Sequence, residues 1–89
     1  MSRPVCLVSG SSSGIGAAVV RQFAAHGFDV VINYNSGAER AARIAAELGE
    51  SFGIEPLTVR ADLADPQAAF ALVDAAWERF GRLDVAVSN

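Results

Sequence analysis

The residues best suited to chemistry form a short run of glycines and serines between an apolar segment and an amphipathic one. A strand that leads through such a turn into a helix makes an anion site, because the first N–H groups of the helix are unpaired and carry partial positive charge. The first glycine would permit the tight turn, the second would let a phosphate approach the backbone, and the third would let the helix lie close to the sheet. The serines add hydroxyl donors, so the run predicts a pyrophosphate site. This glycine loop consists of Gly10, Ser11, Ser12, Ser13, Gly14, Ile15 and Gly16.

The glycine loop has two other interpretations besides pyrophosphate binding. Three glycines also occur in ordinary turns, so a turn without a ligand is one alternative. The flanking strand and helix favour phosphate binding, because they are the context that such a site requires. A nucleoside-triphosphate P-loop is excluded, since it needs a lysine and all seven basic residues here are arginines.

Short β-branched runs alternate with longer alanine-rich helical patterns, which is typical of βαβ units and a parallel sheet. Strands are predicted at 5–8, 29–33, 55–60 and 84–88. Right-handed crossovers would give the strand order 3-2-1-4, the first βαβαβαβ half of a doubly wound α/β fold, with residues 1–89 as part of one domain. The fourth strand would have an open apolar edge, which proteins normally cover. We therefore expect further chain or a partner at that edge.

The first and third helices are predicted from apolar spacing and end signals. The first runs from about Ile15 to His26 and places Ile15 on its buried face. The third begins at an N-cap, Asp65, and ends at Gly81. Its apolar stripe is predicted to be core or interface and consists of Phe70, Val73, Trp77 and Phe80.

The second helix is predicted from a capping box. Ser36 and Glu39 have the spacing of that motif and would start the helix near Gly37. Gly49 and Gly53 would bracket the loop that leaves it.

Composition excludes several classes of protein. A hydrophobic fraction of 52% argues against disorder, and a net charge of −3 with dispersed arginines argues against a nucleic-acid surface. No apolar run approaches the roughly 20 residues of a membrane span, and no signal peptide is recognisable, so a cytoplasmic location is expected. Cys6 is the only cysteine and lies mid-strand, which indicates a core residue. No metal site is predicted.

The pattern from Ser9 to Gly16 resembles the fingerprint Thr-Gly-x-x-x-Gly-Ile-Gly of the short-chain dehydrogenase/reductase family, with Ser9 in place of threonine. Asp62 and Leu63 are similar to the acidic-apolar pair that follows the family's third strand. The final strand is similar to the one that leads into its Asn-Asn-Ala-Gly motif, with Ser88 in place of the first asparagine and Asn89 as the second. The resemblance implies a Rossmann-type fold. The likeness is closest to the 3-oxoacyl-carrier-protein reductase type, chiefly through residues 31–34.

The same resemblance implies roles for residues outside the glycine loop. Asp62 is expected to contact the adenine amino group; it could instead cap a turn, but its place at the carboxyl end of a strand favours adenine. Leu63 and Asn89 are also expected to belong to the cofactor site. The end of the second strand should face the adenosine ribose, through Tyr34, Asn35 and Ser36.

NADP is predicted in preference to NAD. An NAD-selective site usually carries an acidic residue about 20 residues beyond the loop, at the end of the second strand. The end of the second strand reads Asn33, Tyr34, Asn35 and Ser36, with no carboxylate, so a 2′-phosphate would meet no repulsion there. Neutral donors from Asn35 and Ser36, the start of the second helix and Arg40 could hold that phosphate.

No catalytic residue is predicted. The family's chemistry implies a Tyr-x-x-x-Lys pair, whereas this sequence has one tyrosine and no lysine. The first hypothesis is therefore the NADP-binding portion of an oxidoreductase that transfers a hydride between NADP(H) and a carbonyl or alcohol, with its catalytic half absent. Its partners would be the dinucleotide and the missing half or another subunit, through the fourth strand and third helix. The alternative is a standalone, non-catalytic dinucleotide-binding or interaction module.

Overall fold

Every residue of the first strand is buried, which places that strand inside a sheet covered on both faces. The structure, a computed structural model, describes residues 2–89. The strands run parallel in the order β3-β2-β1-β4, so the predicted order is confirmed. The elements in chain order are β1 (Val5–Val8), α1 (Gly14–Ala25), β2 (Asp29–Tyr34), α2 (Ala38–Phe52), β3 (Leu57–Arg60), α3 (Pro66–Phe80) and β4 (Val85–Val87).

Two apolar clusters hold the layers together, one on each face of the sheet. Residues alternate along β2, so Val30 and Ile32 pack in the cluster with α1 and α2, whereas Val31 packs in the cluster with α3. The helices contribute buried side chains such as Leu48 to the first cluster and Leu72 to the second. Each fully buried aliphatic side chain contributes about 1.5 to 3 kcal/mol of transfer free energy.

The strand register brings the carboxyl ends of β1 and β4 to one level, beside Ile32 of β2, which continues for two more residues. Val8 at the end of β1 lies opposite Ile32 of β2 on one side and Val87 of β4 on the other. The residues that follow these three positions therefore meet at the same edge of the sheet. This edge is where a doubly wound sheet binds its ligands.

The first two helices differ from expectation in their ends and faces. Ile15 is 75% exposed, because α1 buries the smaller face that includes Ala17 and Val20. The predicted capping box is wrong: Gly37 is the N-cap of α2, with a φ of 91°, and no side chain caps the helix. The left-handed backbone at Gly37 separates Ser36 from the first turn. The predicted exit loop is also shorter, since α2 continues through Gly49 and ends at Gly53.

The predicted ends of α3 are confirmed, but its buried face is not the predicted stripe. The Asp65 carboxylate accepts a hydrogen bond from the Gln67 N–H at 3.0 Å. Phe70 is 71% and Trp77 is 51% exposed, so of the two roles predicted for the stripe, core or interface, the core role is wrong for these residues. The sheet instead contacts smaller side chains of α3, Leu72 and Ala76, which allow a closer approach.

The last two strands are shorter than predicted. β3 begins at Leu57 rather than Glu55, and β4 excludes Asp84 and Ser88. Asp84 instead joins the start of β1 to the segment before β4. Its carboxylate accepts hydrogen bonds from the Val5 N–H at 2.8 Å and from the Arg82 guanidinium at 2.7 and 2.8 Å. Among residues 2–89, no helix has both the length and the apolarity needed to cross a membrane.

Candidate functional site

The glycine loop lies between β1 and α1, at the edge where the carboxyl ends of the central strands meet. Its first residues form backbone hydrogen bonds to β4 and β2, the strands on either side of β1. The Ser9 N–H donates to the Val87 carbonyl oxygen at 3.0 Å, and the Ser11 N–H donates to the Asn33 carbonyl oxygen at 2.9 Å. The start of the loop is thus an extension of the sheet.

Ser11 is buried and uses its hydroxyl inside the protein. The hydroxyl donates to the Val8 carbonyl oxygen at 2.7 Å and accepts from the Asn33 N–H at 3.0 Å. The Ser12 side chain is also buried, while Ser13 is exposed as the N-cap of α1. Of the three serines, Ser11 is committed to the shape of the loop.

Asn33 is the residue of this site whose role the sequence analysis did not recognise. Its side chain is 2% exposed and hydrogen-bonded on both ends. Oδ1 accepts from the Gly10 N–H at 3.0 Å, and Nδ2 donates to the carbonyl oxygens of Val59 and Ala61, both at 3.3 Å. The available signal was one amide directly after the apolar run of Val30, Val31 and Ile32.

The second half of the loop is open toward solvent. A Cβ built on Gly14 has no protein atom within 4 Å, and the φ of Gly14 is 60°, a backbone conformation that glycine adopts at low cost. Within residues 2–89, the N–H groups from Ser12 to Gly16 make no hydrogen bond. This corner therefore combines unpaired donors, the positive end of a helix and space for an anion.

Gly16 is needed for close packing rather than for ligand access. A Cβ at this position would collide with the Gly10 carbonyl oxygen and lie 2.7 Å from Nδ2 of Asn89 and 2.9 Å from Cα of Ser11. The absence of a side chain lets the first turn of α1 pack directly on the loop. The predicted close helix packing at this glycine is therefore present.

Asn89 reaches the loop from the far side of β1. Its N–H donates to the Ser9 hydroxyl at 2.8 Å, and its side-chain amide donates to the Gly10 carbonyl oxygen at 3.1 Å. The structure thus brings this predicted site residue together with the loop.

The remaining predicted residues lie after β2 and β3. Tyr34 is half-buried against the apolar cluster of α1 and α2, whereas Asn35 and Ser36 are exposed. The Arg60 guanidinium donates to the Asn35 carbonyl oxygen at 3.1 Å and joins the two strand ends. Asp62 caps a turn by accepting from the Ala64 N–H at 3.0 Å. Its neighbour, Leu63, is exposed.

A cleft of about 420 Å³ extends from the open half of the loop to α2. Arg40 and Arg43 line it on the α2 side, one turn apart, and within residues 2–89 neither forms an ion pair or a hydrogen bond. The Arg40 guanidinium folds over Gly37, where a Cβ would collide with it. Arg21, also at the cleft, is paired with Glu47 at 2.7 Å. Two arginines are thus left without an anionic partner in the described chain.

In the described part of the chain, the other groups that could be nucleophiles or acids do not form a catalytic arrangement. Burial raises the pKa of the Cys6 thiol to about 11, so it is protonated at neutral pH. His26 lies at the carboxyl end of α1, away from the loop, with Nδ1 2.8 Å from the Gln22 carbonyl oxygen. The chemistry that this arrangement can perform is anion binding.

Comparison with known proteins agrees with this arrangement. The family model for short chain dehydrogenases matches residues 4–89. One relative is the ketoacyl reductase 2 of the granaticin polyketide synthase from Streptomyces violaceoruber. The chain is 46% identical to it over 86 residues, which cover 97% of this chain and 32% of that protein. It is 46% identical over 83 residues to a Sphingomonas L-rhamnose 1-dehydrogenase (NAD(P)(+)), covering 93% and 32%.

A solved structure shares the fold as well as the sequence pattern. The crystal structure of a short chain dehydrogenase from Burkholderia cenocepacia J2315 in complex with NADP matches with a TM-score of 0.88 and 43% identity, over 93% of this chain and 34% of that one. The chain therefore spans about a third of the length of the curated relatives it matches.

Proposed function

The chain belongs to the short-chain dehydrogenase family, and from this premise we propose that it is the NADP-binding portion of an oxidoreductase. The reaction proposed for the whole protein is hydride transfer between NADP(H) and a carbonyl or alcohol. The observation that carries the proposal is the open corner at Gly14, with unpaired N–H groups on one side and the unpaired Arg40 and Arg43 on the other.

The residues present fit a dinucleotide. The backbone from Ser12 to Gly16 offers donors to a pyrophosphate, and the missing side chain at Gly14 leaves room for it. Ile15 is exposed beside this corner and would cover the bound cofactor with an apolar surface. When bound, the nicotinamide would supply or accept the hydride; the part of this chain described above binds and orients the cofactor.

The adenosine end would lie over the ends of β2 and β3. Tyr34, Asn35 and Ser36 would border the ribose, and Asp62 with Leu63 would border the adenine. One oxygen of Asp62 caps its turn, and the second has no hydrogen bond within residues 2–89, so it remains free to accept from an amino group. Asn89 would close the opposite side of the site through its bond to Gly10.

The preference for NADP over NAD follows from charge. A 2′-phosphate would meet no carboxylate at the end of β2, and Arg40 and Arg43 are positioned in the adjoining cleft to neutralise it. A relative of the same fold has been crystallised with NADP, which supports this choice. Arg43 was not among the residues expected to contribute, although it lies one helical turn after Arg40.

The proton-transfer residues would lie in polypeptide beyond these 89 residues, because the chain has no lysine to pair with a tyrosine. We propose that this polypeptide, in the same chain or another subunit, packs on α3 and pairs with β4. The outer edge of β4 has no strand partner within residues 2–89. The exposed surface of α3 carries three large apolar side chains, Phe70, Val73 and Trp77. Such an exposed apolar patch is typical of a surface that another part of a protein covers.

Binding of NADP⁺ and NAD⁺ to the 89-residue chain, measured by isothermal titration calorimetry, tests the proposal. We expect tighter binding of NADP⁺, and a loss of about tenfold in NADP⁺ affinity but little change for NAD⁺ in Arg40→Ala and Arg43→Ala. Arg79→Ala is the matched control, because this arginine lies on α3 beside Glu55 and outside the cleft. Equal affinity for both dinucleotides would refute the cofactor choice, and binding of neither would refute the function.

The lack of a catalytic pair also favours a second candidate, a standalone binding module. Both candidates predict no turnover by the 89-residue chain, so an activity assay does not separate them. The intact mass of the protein isolated from its natural source does. A mass near 9.3 kDa would favour the module, and a mass about three times larger would favour the oxidoreductase.

A further inference from the structure

Asn33 joins three segments of the candidate site through one buried carboxamide. Oδ1 accepts from the Gly10 N–H at the start of the glycine loop. Nδ2 donates to the carbonyl oxygens of Val59 and Ala61, which lie on and just after β3. The residue after Ala61 is Asp62, so the same side chain reaches both the phosphate end and the adenine end of the site.

The backbone of Asn33 makes the connection to the loop stronger. Its carbonyl oxygen accepts from the Ser11 N–H, and its N–H donates to the Ser11 hydroxyl. That hydroxyl donates in turn to the Val8 carbonyl oxygen. Together these contacts hold residues 10 and 11 to β2 through three hydrogen bonds, and the loop has no freedom to turn away from the sheet at its start.

The chemistry of the partners accounts for an amide at this position. One end of the side chain faces a donor and the other faces two acceptors, and only a carboxamide of this length presents an acceptor and a donor in that way. An aspartate would set a negative charge against two carbonyl oxygens, and an apolar residue would remove one buried and two partly buried hydrogen bonds to the backbone. No buried side-chain polar atom among residues 2–89 is left unpaired.

We infer that Asn33 is a positioning residue for the cofactor, which fixes the glycine loop and the Asp62 turn relative to each other before a ligand binds. This inference rests on the proposed function. The Gly10 N–H is engaged by Asn33, so the donors left for a pyrophosphate are those from Ser12 to Gly16. Asn33 thus acts on the cofactor without contacting it, by setting where those donors point.

The test compares Asn33→Ala with Val31→Ala, a matched control in the same strand. Val31 is also fully buried, but its side chain packs in the apolar cluster of α3, on the face of the sheet opposite to α1 and α2. Dissociation constants for NADP⁺ and for adenosine 2′,5′-bisphosphate are measured by calorimetry at a temperature where each variant is folded. Exchange and ¹⁵N relaxation of the amides from Gly10 to Gly16 report the order of the loop without any ligand.

We expect Asn33→Ala to weaken NADP⁺ binding by about tenfold or more and to mobilise the loop amides, with faster exchange at Gly10. Val31→Ala should bind within about twofold of the wild type, even if it loses as much thermal stability. Asn33→Ser, a smaller polar replacement, provides the comparison if Asn33→Ala does not fold, and it should weaken binding in the same direction.

Wild-type affinity and an ordered loop in the Asn33 variants would overturn the inference, as would equal losses of affinity in Val31→Ala. If the wild-type chain binds neither dinucleotide, the proposed function is refuted. The loop amides would then decide separately whether Asn33 holds the loop in place.

Discussion

The side-chain amide of Asn89 donates to the carbonyl oxygen of Gly10 at 3.1 Å, across 79 positions of sequence. Asn33 holds the same residue from the opposite side through the Gly10 N–H. The backbone of Gly10 is therefore hydrogen-bonded on one side to β2 and on the other to the residue that lies two positions after β4. The loop then opens toward Gly14, so a fixed start and an accessible end coexist within a few residues.

Gly16→Ala should destabilise the protein despite the higher helix propensity of alanine. The added methyl group would collide with the Gly10 carbonyl oxygen and crowd Asn89, and overpacking of this kind costs about 1 to 3 kcal/mol. Propensity alone predicts a gain of about 1 kcal/mol. The free energy of unfolding, measured by urea titration, gives the net effect of the steric cost and the propensity gain. A variant more stable than the wild type would show that the contact with the loop is loose.

Leu72→Ala and Phe70→Ala should have very different effects, although both lie on α3. Leu72 is 2% exposed, and its truncation should cost about 2 to 4 kcal/mol. Phe70 is largely exposed, and its truncation should change the free energy of unfolding by no more than about 0.5 kcal/mol. Denaturant titration of the two variants at equal concentration is the measurement. A larger loss at Phe70 would place the predicted stripe in the core.

Asp84→Asn should remove part of the pH dependence of stability. Hydrogen bonds from Arg82, and secondarily from the Val5 N–H, hold the pKa of Asp84 below its usual value of 3.8. Because the pKa is lower in the folded than in the unfolded chain, the ionised carboxylate stabilises the fold at pH values above 3.8. This contribution is lost as the pH falls through the lowered pKa of the folded state. The variant should therefore be less stable than the wild type at neutral pH, by an amount that shrinks below pH 3.8.

Thermal unfolding across that pH range measures the difference. Asp74→Asn serves as the control, since Asp74 is exposed and makes no ion pair or hydrogen bond within residues 2–89. A stability difference for Asp84→Asn that stayed constant down to the lowest pH would contradict the assigned role of the carboxylate.

Cys6 should resist thiol reagents while the protein is folded. Its pKa is raised from 9.0 to about 11 by burial, which lowers the thiolate population at pH 8 by about 100-fold, before steric protection is counted. Labelling with Ellman's reagent should therefore be slow, and should accelerate in urea as the chain unfolds. Immediate labelling of the folded chain would show that β1 is accessible.

Tyr34→Asp should shift the dinucleotide preference toward NAD⁺. A carboxylate at the end of β2 would repel a 2′-phosphate and accept from a ribose hydroxyl. Tyr34 is half-buried, so Tyr34→Asn is the control for the loss of its packing. The ratio of the NAD⁺ and NADP⁺ dissociation constants is compared between the two variants. An unchanged ratio in Tyr34→Asp would place the ribose away from this residue.

The sequence permitted a correct prediction of features that depend on local spacing. The glycine pattern located the turn between β1 and α1, and apolar runs such as residues 29–33 located the buried strands. The strand order followed because right-handed crossovers leave few alternatives. Asp65 was recognised as an N-cap because that role depends only on the first turn of its own helix.

The features that were missed depend on distant parts of the chain. The role of Asn33 requires the loop and the exit of β3 to arrive at one point, which no local pattern encodes. The buried face of α3 is set by how closely the helix approaches the sheet, so Leu72 is buried and the larger Trp77 is not. The capping box at Ser36 failed because the backbone turns left-handed at Gly37.

The central place of β1 has a consequence for the time course of folding. Its first neighbour, β2, follows closely along the chain, but its second, β4, comes only after two further helices and a strand. Joining β1 to β4 closes a loop that contains the five other elements described in residues 2–89, which is a slow kind of contact to form. During translation one side of β1 stays bare until β4 emerges from the ribosome. Chaperone binding to nascent chains should therefore persist until that strand is made.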